Sequence, residues 1–167
     1  VIGYSLEGRP IKALKISDNP NSNEPGEGDA VFVALHHARE WISVEMGLYL
    51  ADELLGRYAT DPEIQADVNN LQIWVVPVVN PDGYEYSWTD ERYWRKNRRG
   101  GVGVDTNRNF GYGWGGEGSS DAPEDENYRG EAAFSEPESA TVRDFVLAHP
   151  ELVAHLDLHS YGQLVLY

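Results

Sequence analysis

Apolar positions along this chain switch between two periods. From Trp41 to Tyr58, Val44, Leu48, Ala51 and Leu55 recur at helical spacing, and Met46, Tyr49 and Leu54 widen the stripe. That spacing predicts an amphipathic helix. Two short apolar runs, "AVFVAL" (Ala30 to Leu35) and "LQIWVVPVV" (Leu71 to Val79), read as strands buried on both faces. "GRPIKALKIS" reads as a turn followed by a half-buried strand, and "NPNSNEPGEGD" (Asn19 to Asp29) as a loop. "DPEIQADVNN" predicts a short helix, with Asp61 as cap and Pro62 at its first position. "NPDG" (Asn80 to Gly83) reads as a turn closing the second strand. The aromatic, glycine-rich residues 84 to 135 read as a long loop region. "SEPESATVRDFVLAHP" predicts a helix capped by Ser135, with Glu138 three residues on and Pro150 ending it. "LVAHLDLHS" is a strand, and "QLVLY" starts one more.

Strands alternating with helices predict an α/β layered sheet in one domain over residues 1–167. Ligands in such sheets sit beyond the carboxyl ends of strands. His36 and His37 lie at one such end, and His159 at another.

Composition narrows the field. A chain of 167 residues, 41% hydrophobic, is long enough to bury a core, roughly 70% of its unfolded surface. The apolar run Ile73 to Val79 falls far short of the ~20 residues of a membrane span. "VIGYSLEGRP" shows no basic start followed by an apolar block. With no cysteine, disulfides and thiolate metal sites are excluded. A net charge of −15 repels nucleic acid and anionic membranes alike. Yet Arg92, Arg95, Lys96, Arg98, Arg99 and Arg108 gather six of the 13 basic residues, read either as a solvated basic loop that offsets nearby acids or, in preference, as a pocket for a small anion. "EGSSDAPEDE" (Glu117 to Glu126) reads as a solvated acidic loop, with calcium binding the weaker alternative. "GGVGV" lacks the glycine spacing of a dinucleotide-binding turn.

The candidate chemistry is metal-based. A catalytic zinc takes three ligands from His, Glu or Asp and keeps one position open. His37 and Glu40 stand three apart at the strand-to-helix junction, and His36 competes for the same place. Neighbouring strand side chains face opposite ways, so only one of the two histidines should face the site. A third ligand can come from "HLDLHSYG". His155 and His159 lie about 13 Å apart on an extended strand and cannot share one ion. Asp157 and His159, about 6.6 Å apart, can; His159, at the strand end, is preferred.

"HHAREWIS", "NPDGYEY", "YWRKNRR", "GVDTNRNFGYGWGG", "YRGEAAFSEPES" and "HSYGQLVLY" together resemble the zinc carboxypeptidases of the carboxypeptidase A/B type. "GYSLEGRPIKALKIS" is similar to that family's opening hairpin. The likeness spans nearly the whole chain, with the motifs in the family's order.

The resemblance implies a mixed β-sheet flanked by helices, incomplete at both ends, as a partial catalytic domain. It implies one zinc ion on His37, Glu40 and His159, with His36 outside the set. Asp105 would hydrogen-bond a ligand histidine. Asn107 and Arg108 would hold a substrate's terminal carboxylate, Arg95 would stabilise the oxyanion, and Arg39 and Tyr161 would line neighbouring subsites. The substrates would be peptide or protein C-termini, the reaction removal of the last residue by metal-activated water, and the setting extracellular. The family's general base, mobile tyrosine and specificity residue have no counterpart here, so zinc binding with little or no turnover is expected. Two alternatives stand beside this: a non-catalytic module binding peptide C-termini, and a zinc amidase acting on acylated amino acids or cell-wall peptides.

Overall fold

A computed structural model describes residues 1–166. Two short strands, β1 (Gly3–Tyr4) and β2 (Pro10–Ile11), form an antiparallel hairpin. The main sheet has four strands: β3 (Leu14–Ile16), β4 (Gly28–Ala34), β5 (Leu71–Val76) and β6 (Leu152–Leu158). Their order is β3-β5-β4-β6. β4 runs parallel to both β5 and β6, and β3 runs antiparallel to β5, so the sheet is mixed. Among the described residues four helices flank it: α1 (Ile42–Arg57), α2 (Pro62–Asn70), α3 (Pro81–Thr89) and α4 (Pro137–Leu147). Among the described residues, no helix is long and apolar enough to cross a membrane.

β4 is central and buried on both faces, as its unbroken apolar run requires. Val31 and Val33 face one layer, where they pack with Ile11, Val76, Val79 and the α4 residue Val142. The other layer joins Ile16, Ile73 and Phe32 to Ala51 and Leu54 of α1 and Val68 of α2. β6 is an edge strand, and its Val153 and Leu156 are exposed.

Several local expectations shift. The buried stripe of α1 is Val44, Gly47, Ala51 and Leu54, whereas Leu48, Leu55, Met46 and Tyr49 are exposed. Val44, Ala51 and Leu54 of the expected stripe do face the sheet, and Gly47 joins them, the place of a Cβ there lying 3.4 Å from Val75 Cγ1. β5 stops at Val76, short of Val79. "NPDG" opens a helix: Asn80 caps α3, its Oδ1 accepting from the Gly83 N–H at 2.9 Å, with Pro81 at the first position. A side chain at Gly83 would strike Lys96 O, 2.5 Å from the place its Cβ would take. Residues 84 to 135 accordingly begin as α3 and later carry two short 3₁₀ turns, at 99–101 and 106–108. Ser135 does not cap α4; Glu136 occupies that position without a side-chain cap bond. Residues 163–166 of "QLVLY" form no strand, and Tyr167 lies outside the described residues.

Candidate metal centre

The centre forms where β4 and β6 end side by side. β4 finishes at Ala34, and buried Leu35 takes a left-handed backbone conformation, φ 59°. For a leucine this is strained, by about 1–3 kcal/mol. The surroundings hold it there: its N–H donates to Ser43 Oγ at 3.2 Å, and its carbonyl accepts from the Asn80 N–H at 3.1 Å. The chain therefore leaves the sheet before the two histidines. They diverge because of this turn, and strand alternation plays no part.

His37 and Glu40 are buried, and His159 reaches the surface with its side chain 29% exposed. His37 Nδ1 lies 2.9 Å from Glu40 Oε1, and His159 Nδ1 lies 2.9 Å from Glu40 Oε2. The Ser160 N–H also donates to Oε2, at 3.1 Å. One ligand atom from each of the three residues falls within 4.8 Å of the others. Burial pushes the Glu40 carboxyl up, but hydrogen bonds from His159 and His37 outweigh it and hold it at about 2. Burial pushes the His159 imidazole down, and hydrogen bonds to Asp157 and Glu40 reverse this, raising it to about 9.

Asp105, fully buried, is the hub behind His37. Its Oδ1 sits 3.1 Å from His37 Nε2 and accepts from the Asn107 N–H at 2.9 Å. Its Oδ2 accepts from Arg95 Nε at 3.1 Å and Nη2 at 2.8 Å. Burial raises this carboxyl, yet His37 and then Arg95 bring it well below the usual carboxylate range.

His36 turns the other way. It is 1% exposed, with Nδ1 3.2 Å from Thr106 Oγ1 and Nε2 3.4 Å from Asp157 Oδ2. Burial pushes its imidazole below the ordinary range. His155 has no part in the cluster.

A zinc carboxypeptidase profile matches residues 1–167. The chain belongs to the zinc carboxypeptidase family. It is 40% identical over 172 residues to carboxypeptidase A2 of Rattus norvegicus, covering 99% of this chain and 40% of that protein. The carboxypeptidase A structure from Helicoverpa armigera superposes with a TM-score of 0.89 at 38% identity, covering 99% of this chain and 41% of that one. The inactive metallocarboxypeptidase ecm14 of Talaromyces marneffei is 36% identical over 178 residues, or 99% of this chain and 30% of that protein. The chain thus spans about two-fifths of the length of the carboxypeptidase A relatives it matches.

The remaining residues singled out from the carboxypeptidase motifs are distributed unevenly. Asn107 Nδ2 is 3.0 Å from His159 Nε2, beside the centre. Arg108 donates from Nε to Gly118 O and from Nη1 to Asn107 O; with Asn107, Phe110 and Trp114 it lines a cavity of about 100 Å³. Arg39 pairs with Glu126 at 2.9 Å. Tyr161 is 94% exposed. Within the basic stretch, Arg92 lies over the Trp41 ring at 3.7 Å, Arg98 over Tyr86 at 3.6 Å, and Arg99 pairs with Glu136 at 3.0 Å. Lys96 is buried and donates to Pro123 O and Asp125 O, both at 2.8 Å. The acidic loop therefore wraps an ammonium group with its carbonyls. Thr106 and Asn80 also hold the site, and sequence spacing alone did not mark either one. Asn80 Nδ2 donates to His36 O and Lys96 O, both at 3.1 Å.

Two imidazole nitrogens and one carboxylate, with no thiolate, match the donor set of a catalytic zinc ion. The Nε2 side of His37 faces a carboxylate, which fixes the tautomer that leaves Nδ1 free to ligate.

Proposed function

We propose that the protein is a zinc-dependent exopeptidase of the carboxypeptidase type, acting on peptide C-termini in an extracellular setting. One observation carries this reading: His37 Nδ1 and His159 Nδ1 each lie 2.9 Å from opposite oxygens of the same Glu40 carboxylate. His37, Glu40 and His159 would hold the ion. Zinc, when held there, supplies Lewis acidity at neutral pH.

The chain's own groups would do the rest. Arg108 and Asn107 bind the terminal carboxylate, the guanidinium matching it in a fork. Arg95 spends Nε and Nη2 on Asp105, which leaves Nη1 as a donor for the oxygen that gains charge. Arg39 and Tyr161 serve neighbouring subsites. Every carboxylate beside the centre is already engaged: Glu40 and Asp157 with imidazoles, Asp105 with His37 and Arg95. Among these three carboxylates Asp157 Oδ1 alone lacks a partner, and it is buried. The 167 residues alone would bind one zinc ion and turn over slowly or not at all. General acid–base groups contribute about 10²–10⁴-fold.

A second reading is a non-catalytic module that binds peptide C-termini. The ecm14 relative, named as inactive, favours keeping it. Zinc stoichiometry, peptide turnover and binding of free-acid against amidated peptides separate the two. One tightly bound zinc and a preference for the free acid support the metallopeptidase site. Loss of zinc uptake in His37→Ala and His159→Ala is the accompanying expectation; undiminished uptake in either would remove the assignment.

A further inference from the structure

The metal reading uses only one of the two ring nitrogens of His159. Nδ1 is hydrogen-bonded with Glu40, whereas Nε2 lies between two other side chains: the Asn107 amide at 3.0 Å, and Asp157 Oδ2 at 3.1 Å, an ion-pair contact that a small rotation of the carboxylate would align. A neutral imidazole that ligates through Nδ1 carries its proton on Nε2, and that proton needs an acceptor. Asp157, an ionised carboxylate, can only accept. An asparagine amide can present either its oxygen or its nitrogen, and the surrounding network decides which. Asn107 nitrogen against Nε2–H would set donor against donor. Asp157 is thus the group whose chemistry selects the tautomer, and Asn107 follows it.

The arrangement parallels what Asp105 does on the other side, where the contact is a hydrogen bond. His37 directs Nδ1 to Glu40 and Nε2 to Asp105; His159 directs Nδ1 to Glu40 and Nε2 to Asp157. Asp157 precedes His159 by two residues at the end of β6, the interval at which side chains share a face. The same Oδ2 also meets buried His36, whose Nε2 lies 3.4 Å away and whose ring lies near-parallel to that of His159, 6.1 Å between centroids, while Oδ1 is buried without a partner. Thr106 fixes His36 in turn, at 3.2 Å from Nδ1. Asp157 is no ligand itself: it contacts His159 on the ring edge opposite Glu40 and stands outside the group of converging donor atoms.

We propose that Asp157 is the positioning residue of His159, accepting its Nε2–H and so presenting the Nδ1 lone pair beside Glu40. The proposal rests on the metal-centre reading above. Zinc dissociation constants from chelator competition should show Asp157→Ala weakened 10–100-fold. Asp157→Asn retains an acceptor oxygen without the charge, and should lose severalfold but less than the alanine variant. A second readout is the Nε2–H proton of His159 in the zinc-loaded protein, from its ¹⁵N–¹H correlation and its exchange with water. It should be slowly exchanging in the parent and faster by tenfold or more in Asp157→Ala. A merely structural role would lower the urea midpoint without changing zinc affinity or the exchange of the His159 Nε2–H, and that result overturns the proposal. If the alanine variant fails to fold, the near-isosteric Asp157→Asn carries the test, and affinity equal to the parent's overturns it. A parent that takes up no zinc removes the metal centre and this inference together. A parent that binds one equivalent while Asp157→Ala binds equally well removes this inference alone.

Discussion

Replacing Asp105 with asparagine should break two things that can be measured separately. The native carboxylate accepts four hydrogen bonds: two from Arg95, one from His37 and one from the Asn107 backbone. An amide has one oxygen. Its best placement keeps that oxygen toward His37 and the Asn107 N–H and turns NH₂ toward Arg95, donor against donor. Removing one partner of a buried ion pair costs about 3–5 kcal/mol. The Arg95 side chain is 14% exposed and regains some water, so we expect the lower end, about 3 kcal/mol. His37 meanwhile exchanges a charged acceptor for a neutral one, which should weaken zinc about 10–100-fold. Urea unfolding of the metal-free protein reads the first loss; chelator competition reads the second. A companion Arg95→Met change removes the stranded cation and should restore much of the stability while leaving zinc weak. Stability within about 0.5 kcal/mol of the parent, together with unaltered zinc affinity, would refute the placement of Asp105 at the centre of this network.

Other outcomes follow from neighbouring contacts. Asn109, fully buried, donates to Arg129 O, Ala132 O and Ser135 Oγ and accepts from the Glu136 N–H and Ser139 Oγ. Asn109→Ala should cost about 4 kcal/mol in chemical denaturation, since orphaned buried groups cost about 1–3 kcal/mol each; a loss under about 1 kcal/mol would mean that water replaces the amide. Burial holds the Glu138 carboxyl above its ordinary 4.5, despite hydrogen bonds from the Leu6 N–H and Asn97. The folded state thus binds that proton more tightly, and the resulting stability is full below 4.5 and fades as pH rises through the folded value. Glu138→Gln should flatten the pH dependence of unfolding in that window, and an unchanged slope would count against the burial argument. Arg108→Lys keeps the charge but loses the fork, so preference for free-acid over amidated peptides should fall about tenfold; an unaltered preference would move the carboxylate site elsewhere.

Local chemistry made parts of this structure legible in advance. α2 starts where Asp61 and Pro62 said it would, because both signals act within one turn; Asp61 accepts from the Glu63 and Ile64 N–H groups. His37, Glu40 and His159 were legible as candidates, two of them from spacing and the third from its place at a strand end. What escaped depends on distant partners. "NPDG" satisfies turn rules and cap rules equally, and the Asn80 bonds to His36 O and Lys96 O come from 44 and 16 residues away. Ser135 and Glu138 have capping-box spacing, yet Glu138 is claimed by Leu6 and Asn97, and Ser135 Oγ by Asn109 and Glu136. In α1 the stripe rightly took in Val44, Ala51 and Leu54, while Leu48 and Leu55 face solvent and Gly47, which carries no apolar signal, lies against the sheet. Asp157 was visible only as a rival ligand, because spacing along a strand does not reveal which ring edge of a histidine it will meet.

The link from Glu40 to His159 joins positions 119 residues apart and ties the edge strand to the helix-bearing side of the sheet. A cation gripping both ends would act as a removable rivet across that span. Loop-closure entropy grows only slowly with length, as about (3/2)RT ln n, so bridging so long a span costs little more than bridging a short one. Chelation would unfasten β6 ahead of the rest of the molecule, so that loss of the ion and exposure of an adhesive sheet margin become one event.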